Sequence, residues 1–179
     1  GTATITNSGD PIIRTGSVGG GSTRAGKGKI GSANITIEGG DIQAQFILAA
    51  GAKADPEFTM TGGTIRNSST ADTEYLHVKE QGGAVWLEDG KCEISGGTIE
   101  NCTAGEHGGA IYMQGNGCEL AIRGGTIQNC TAAQGGGIYL GEDATMQIGS
   151  VVEKAENSDD LIRRGQQLVF SGNYGTNYV

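Results

Sequence analysis

Gly96–Asn101 reads Gly-Gly-Thr-Ile-Glu-Asn, and the same phrase stands at Gly62–Asn67 (GGTIRN) and Gly124–Asn129 (GGTIQN) with only the fifth residue changed. A fainter copy, GGDIQA, occupies Gly39–Ala44. A second phrase follows each full copy: GGAVWL at Gly82–Leu87, GGAIYM at Gly108–Met113 and GGIYL at Gly136–Leu140. The first phrase recurs after 34 and 28 residues and the second after 26 and 28, so the two move in step. One structural unit is copied along an axis.

Between the phrases, β-branched residues alternate with polar ones and are interrupted by Gly, Asn and Ser. This is strand and turn grammar, whereas helical repeats of similar length would show a 3.6-residue period. With 34 Gly, 2 Pro and 18% charged residues in 179, the chain turns often and fits one domain. The unit can be written out from Gly96: a first strand over Gly97–Glu100, a corner at Asn101, a second strand over Ala110–Met113, a turn at Gln114–Gly117 and a third strand over Cys118–Arg123. Period-two alternation sends Ile35, Phe58, Cys92 and Leu120 inward as one column and Ile37, Met60, Ile94 and Ile122 as another. Ile65, Ile99 and Ile127 form the inward column of the first strand. The predicted fold is all-β, a parallel β-helix of about five to six three-stranded coils, each stacked on the last. It forms a single domain over 1–179, regular across 35–150, with irregular flanks at 1–34 and 151–179.

At the corner, Asn67, Asn101 and Asn129 are expected to form a structural ladder. Asn tolerates the left-handed backbone region, and its amide reaches nearby backbone groups. Cys102 and Cys130 fall just past that corner in equivalent places. Neighbouring coils hold them near enough for a disulfide, but parallel stacked side chains rarely reach the required dihedral, so buried free thiols are the reading adopted. Without a Cys-x-x-Cys pair and with only two His, the chain offers no zinc site.

The GGTI-x-N phrase alternating with GGAIY and GGGIY resembles the right-handed parallel β-helix domains of bacterial surface proteins. It is similar to the GG-A-I repeats of polymorphic outer-membrane proteins and to pectin-lyase-like adhesin modules of gut bacteria. The resemblance covers roughly Ile35–Ile148. It implies a right-handed helix, an extracellular or bacterial cell-surface location, and membership of a superfamily that mixes polysaccharide lyases, hydrolases, adhesins and passenger domains. Both flanks continue the same style, so the chain is expected to be a fragment of a longer protein.

Net charge is −8, which argues against nucleic acid and anionic membrane as partners. The longest apolar run, Phe46–Ala50, is far too short for membrane insertion. A lyase of the resembled type needs clustered carboxylates for Ca²⁺, and a hydrolase needs paired Asp. The outward first-strand positions are Arg66, Glu100 and Gln128, and the outward third-strand positions include Glu38, Thr61, Ser95 and Arg123. No catalytic or metal-ligating residue is assigned; these positions read as an ordinary solvated face, with an Arg66–Glu100 contact worth under about 1 kcal/mol. Glu88-Asp89 and Glu142-Asp143 sit at equivalent turns, where a polar turn is favoured over a weak Ca²⁺ site, so no cofactor is expected. Thr64, Thr98 and Thr126 form one column, too few for ice binding. Gly16–Gly31 lacks P-loop order and reads as a surface loop, and Asp159–Arg164 as a short helix or longer loop.

If Val85, Ile111 and Ile138 face the core along with Leu87, Met113 and Leu140, then Trp86, Tyr112 and Tyr139 face outward in one column. An exposed aromatic column suits stacking on sugar rings or anchoring a protein partner; packing beneath a loop or subunit is the plainer alternative. The insertion Ser69–Gln81 adds Tyr75 and His77 beside Trp86, and long loops on rigid repeats are common carriers of function. The expected function is therefore a non-enzymatic, adhesin-like surface module that binds a glycan or host surface protein. The alternative is a polysaccharide lyase or glycoside hydrolase whose active site is not evident in these residues.

Overall fold

The computed structural model describes residues 2–5, 13–20, 34–48, 57–67, 80–88, 90–115, 117–149, 151–154, 161–164 and 168–175. Among these the chain is all-β and contains no helix. Six short parallel strands make one sheet, in the order β1 (Thr2–Ile5), β3 (Asn34–Ile37), β5 (Glu57–Met60), β8 (Lys91–Ile94), β11 (Glu119–Ile122) and β15 (Thr145–Ile148). Of these, β3, β5, β8 and β11 are the expected third strands, and β1 and β15 extend the same file on either side.

A second, nine-stranded sheet holds the first and second strands together. Its order is β14 (Ile138–Leu140), β10 (Ile111–Met113), β7 (Val85–Leu87), β4 (Asp41–Leu48), β6 (Thr64–Arg66), β9 (Thr98–Glu100), β12 (Gly125–Gln128) and β18 (Leu168–Ser171), with β2 (Ile13–Gly20) on β4. The long strand β4 explains this order. Its Asp41–Ile42 end pairs with β6 and its Phe46–Leu48 end with β7. What is one strand in β4 is split in later repeats by a loop inserted at the corner. Gln45 marks the seam: fully buried, its Nε2 donates at 2.7 Å to the carbonyls of both Gln81 and Gly82.

Register converts the repeated sequence into packed columns. Ile42, Ile65, Ile99 and Ile127 are consecutive partners and are buried, continuing to Phe170. Ile35, Phe58, Cys92, Leu120 and Met146 form a second file, and Ile37, Met60, Ile94, Ile122 and Ile148 a third. Each fully buried aliphatic side chain contributes roughly 1.5–3 kcal/mol relative to exposure. Repeating the same residue at the same level lets every repeat cover the one before. Parallel sheets lined by aliphatic columns are compatible with a parallel β-helix.

Two expectations on the flanks change. Gly16–Gly20 lies in β2, paired in parallel with β4 across a register shift between Arg14 and Ser17, so this part of the glycine-rich stretch is strand. Residues 161–164 form β17 (Leu161–Arg164), antiparallel to β16 (Val151–Lys154), in place of a helix or loop. Pairing satisfies the backbone of both segments, which their β-branched and aliphatic residues favour. A short parallel pair, β13 (Thr131–Ala132) with β19 (Tyr174–Gly175), was not foreseen.

Candidate functional site

The aromatic column forms. Ile47, Trp86, Tyr112 and Tyr139 are consecutive register partners, flanked by buried Val85, Ile111, Leu87 and Met113. Alternation places Trp86 and Tyr112 on the opposite strand face from those aliphatics, outside the main core cluster. Yet Trp86 is only 5% exposed and Tyr112 3%, which corrects the expectation of an open aromatic face. The rings pack on one another: Trp86 meets Tyr112 edge-on at 6.3 Å, and Tyr112 stacks on Tyr139 at 5.5 Å with planes 13° apart.

A neighbouring backbone ladder completes the packing. Gln81, His107 and Gln134 pair in parallel beside the column, each immediately before a Gly-Gly step. His107 lies 4.4 Å from Tyr139 and 6.0 Å from Tyr112, centroid to centroid. The Tyr112 hydroxyl donates to the Gln114 side-chain carbonyl, and burial, then Tyr139, pushes its pKa up. Tyr139, half-buried, is the one of these three rings that still meets solvent. Sequence reasoning missed His107, although the polar residue before each Gly-Gly was its available signal. Tyr75 and His77 lie outside the described residues.

At the corner the three asparagines divide. Asn101 and Asn129 each adopt φ of 53° with exposed side chains, the left-handed conformation that Asn tolerates. Gly172 takes the same place in the following repeat at φ 63°. Asn67 instead is buried, and its Nδ2 donates to the Gly83 carbonyl at 2.8 Å, tying the two ends of the long insertion together. One residue on, Cys102 and Cys130 are free and buried. Their thiols reach toward the carbonyls of Ile65 (3.8 Å) and Ile99 (4.0 Å), and Asn173 Nδ2 does the same to Ile127 at 3.0 Å. The thiols thus act as structural donors in a file completed by an amide. The proximity of the two thiols lowers the Cys130 pKa and, with burial, raises that of Cys102 well above its ordinary value.

Outward charges are paired between repeats. Arg66 Nε donates to Glu100 Oε1 at 2.7 Å, as expected, while its Nη1 also bonds Asp41, and Gln128 Nε2 donates to Glu100 Oε2 at 2.7 Å. These bonds, Gln128 first and Arg66 second, lower the Glu100 pKa. Arg123 reaches Glu93 at 3.0 Å and Lys91 reaches Glu119 at 3.3 Å on the other sheet. Among the described residues, no group of three His, Cys, Asp or Glu is placed to hold a metal ion. Glu142 and Asp143 are exposed at their turn. The chain matches no protein-family model, no curated protein and no solved structure.

Proposed function

We propose that the repeats close into a right-handed parallel β-helix of the pectin-lyase-like type, about five to six coils long, working as a non-enzymatic, adhesin-like module at the bacterial cell surface. Its task is presentation: stacked parallel strands hold side chains at fixed intervals, and a rigid array of that kind binds an extended ligand at little ordering cost. The observation that carries the reading is the aromatic column ending at half-buried Tyr139, with His107 against its ring and exposed Gln114 nearby on the same strand edge. An aromatic ring beside amide and imidazole groups offers both a stacking face and hydrogen bonds, which is what a sugar ring requires. In this reading Trp86 and Tyr112 brace the site from beneath, and the ligand is a glycan or the glycosylated surface of a host protein.

Glycan-array binding and calorimetry on Tyr139→Ala provide the test. The variant should lose glycan binding and melt within a few degrees of the parent, whereas Trp86→Ala should lose about 3–5 kcal/mol of stability. Binding that survives Tyr139→Ala would overturn this surface. Release of reducing ends or unsaturated products from polysaccharide would support the lyase or hydrolase alternative instead.

A further inference from the structure

Cys102 and Cys130 stand at the same level of adjacent repeats. Glu100 pairs with Gln128 on one side of them and Thr103 with Thr131 on the other, both in parallel. The backbone ladder holds this level in place: Thr103 N donates to the Asn67 carbonyl at 2.9 Å, Thr131 N to the Cys102 carbonyl at 2.9 Å and Tyr174 N to the Cys130 carbonyl at 2.8 Å. Asn173 closes the next level, its Oδ1 accepting from Cys130 N at 3.0 Å. Both cysteines are free, fully buried and packed in the main core cluster. The polar neighbours of their sulfurs are carbonyls, Glu100 at 3.4 Å and Ile65 at 3.8 Å for Cys102, Gln128 at 3.2 Å and Ile99 at 4.0 Å for Cys130. A thiol is a weak donor, so little is lost when its proton leaves. Cys92 differs, because its register partners are Phe58 and Leu120 and neither carries a thiol.

Side chains leaving adjacent parallel strands at one level stay about 4.8 Å apart. A disulfide needs its Cβ atoms at about 3.8 Å, so it would pinch the ladder. Two thiolate–metal bonds of about 2.3 Å set in line span about 4.6 Å, which the ladder already provides. We propose that Cys102 and Cys130 form a two-coordinate site for a soft d10 metal ion, held in a linear sulfur–metal–sulfur bridge between the two repeats. Thiolate ligands select soft ions. Zinc requires four ligands, and among the described residues no third Cys, His, Asp or Glu joins this pair. Charge decides between the soft ions. Hg(II) with two thiolates is neutral, whereas Cu(I) leaves one negative charge in an apolar core two residues from Glu100, and a buried charge without a partner is costly. Hg(II) is therefore held more tightly than Cu(I). Binding breaks two S–H bonds, forms two sulfur–metal bonds and releases two protons to solvent. The bridge ties two repeats together at the corner where the chain leaves the first strand.

Because both thiols are buried, the ion enters while the repeats are apart. The full chain is refolded from urea with one equivalent of Hg(II), or of Cu(I) carried in acetonitrile, and desalted. X-ray absorption should find one ion per chain with two sulfur neighbours at about 2.3 Å. The urea midpoint should rise above that of the metal-free protein, more for Hg(II) than for Cu(I). Cys102→Ser should lose both the retained ion and the rise, with Cys130→Ala in its place should Cys102→Ser fail to fold by circular dichroism. Cys92→Ala and Cys118→Ala, made singly, should keep both. An ion held by three or four sulfurs, an ion shared between two chains, or one retained by Cys102→Ser would overturn the proposal. So would a Cys102–Cys130 disulfide that forms in air without metal, since the ladder would then permit the pinch.

Discussion

A Cβ at Gly109 would sit 2.0 Å from the carbonyl oxygen of Gly136 and 2.5 Å from the amide nitrogen of Thr131. Gly83 stands in the same relation to Gly109, at 2.1 Å. The second glycine of each Gly-Gly step is thus demanded by the backbone of the next repeat, while the first, at φ of 58°, 64° and 59° for Gly82, Gly108 and Gly135, is demanded by conformation. Gly117 also has positive φ, yet nothing lies within 4 Å of its Cβ position. Gly109→Ala should therefore cost about 3 kcal/mol by urea unfolding, near the upper end for overpacking, and Gly117→Ala only about 1 kcal/mol, from φ alone. Equal costs would contradict the close-approach account. The thiols offer a second measurement at this scale. Burial pushes Cys92 up to about 12, and all four cysteines are free and buried. A thiol reagent at mildly alkaline pH should find almost no reactive thiol in folded protein and four in denaturant.

Between single residues and the whole chain stand the ladders that run from strand to strand. Arg66 joins Asp41 of β4 to Glu100 of β9, and Glu100 passes the link to Gln128 of β12. Because Glu100 titrates below its ordinary value when folded, its ladder stabilises the protein at neutral pH and loses that contribution as pH falls through the folded pKa. The urea midpoint of the parent should drop more steeply below about pH 5 than that of Glu100→Gln; parallel curves would show that the ladder contributes nothing. The Arg66–Glu100 rung was legible in sequence because both occupy the variable fifth position of a repeated phrase. Asp41 was not, since the fainter phrase holding it lacks that Thr-Ile core. The aromatic file shows the same boundary. Its register followed from repetition, but its burial depends on the path of the backbone through Gln81, His107 and Gln134, where no hydrophobic period announces a strand.

Across the whole molecule, stability should depend on position along the stack more than on residue type. Ile122 and Ile148 are register partners with the same side chain, one buried and one exposed. Ile122→Ala should cost about 2–5 kcal/mol and Ile148→Ala less than about 0.5 kcal/mol, as read by chemical denaturation at dilute concentration. Comparable losses would mean that Ile148 is covered. The inward columns could be read from alternation and repetition because both report which side of a strand faces the core. The continuity of β4, the β13–β19 pair and the β16–β17 hairpin could not, because each depends on what the chain meets after it has turned.

The seam in β4 bears on how such a frame could be altered. Ile42 and Phe46 are four residues apart, Ile65 and Val85 twenty, and both pairs still fall into register with each other. Extra length at this point leaves the stack undisturbed, and the entropic cost of a longer side loop rises only with the logarithm of its size. A foreign epitope spliced between Asn101 and Gly108 would hang from the side of the frame like a pennant, its two anchoring points already set by the rungs above and below.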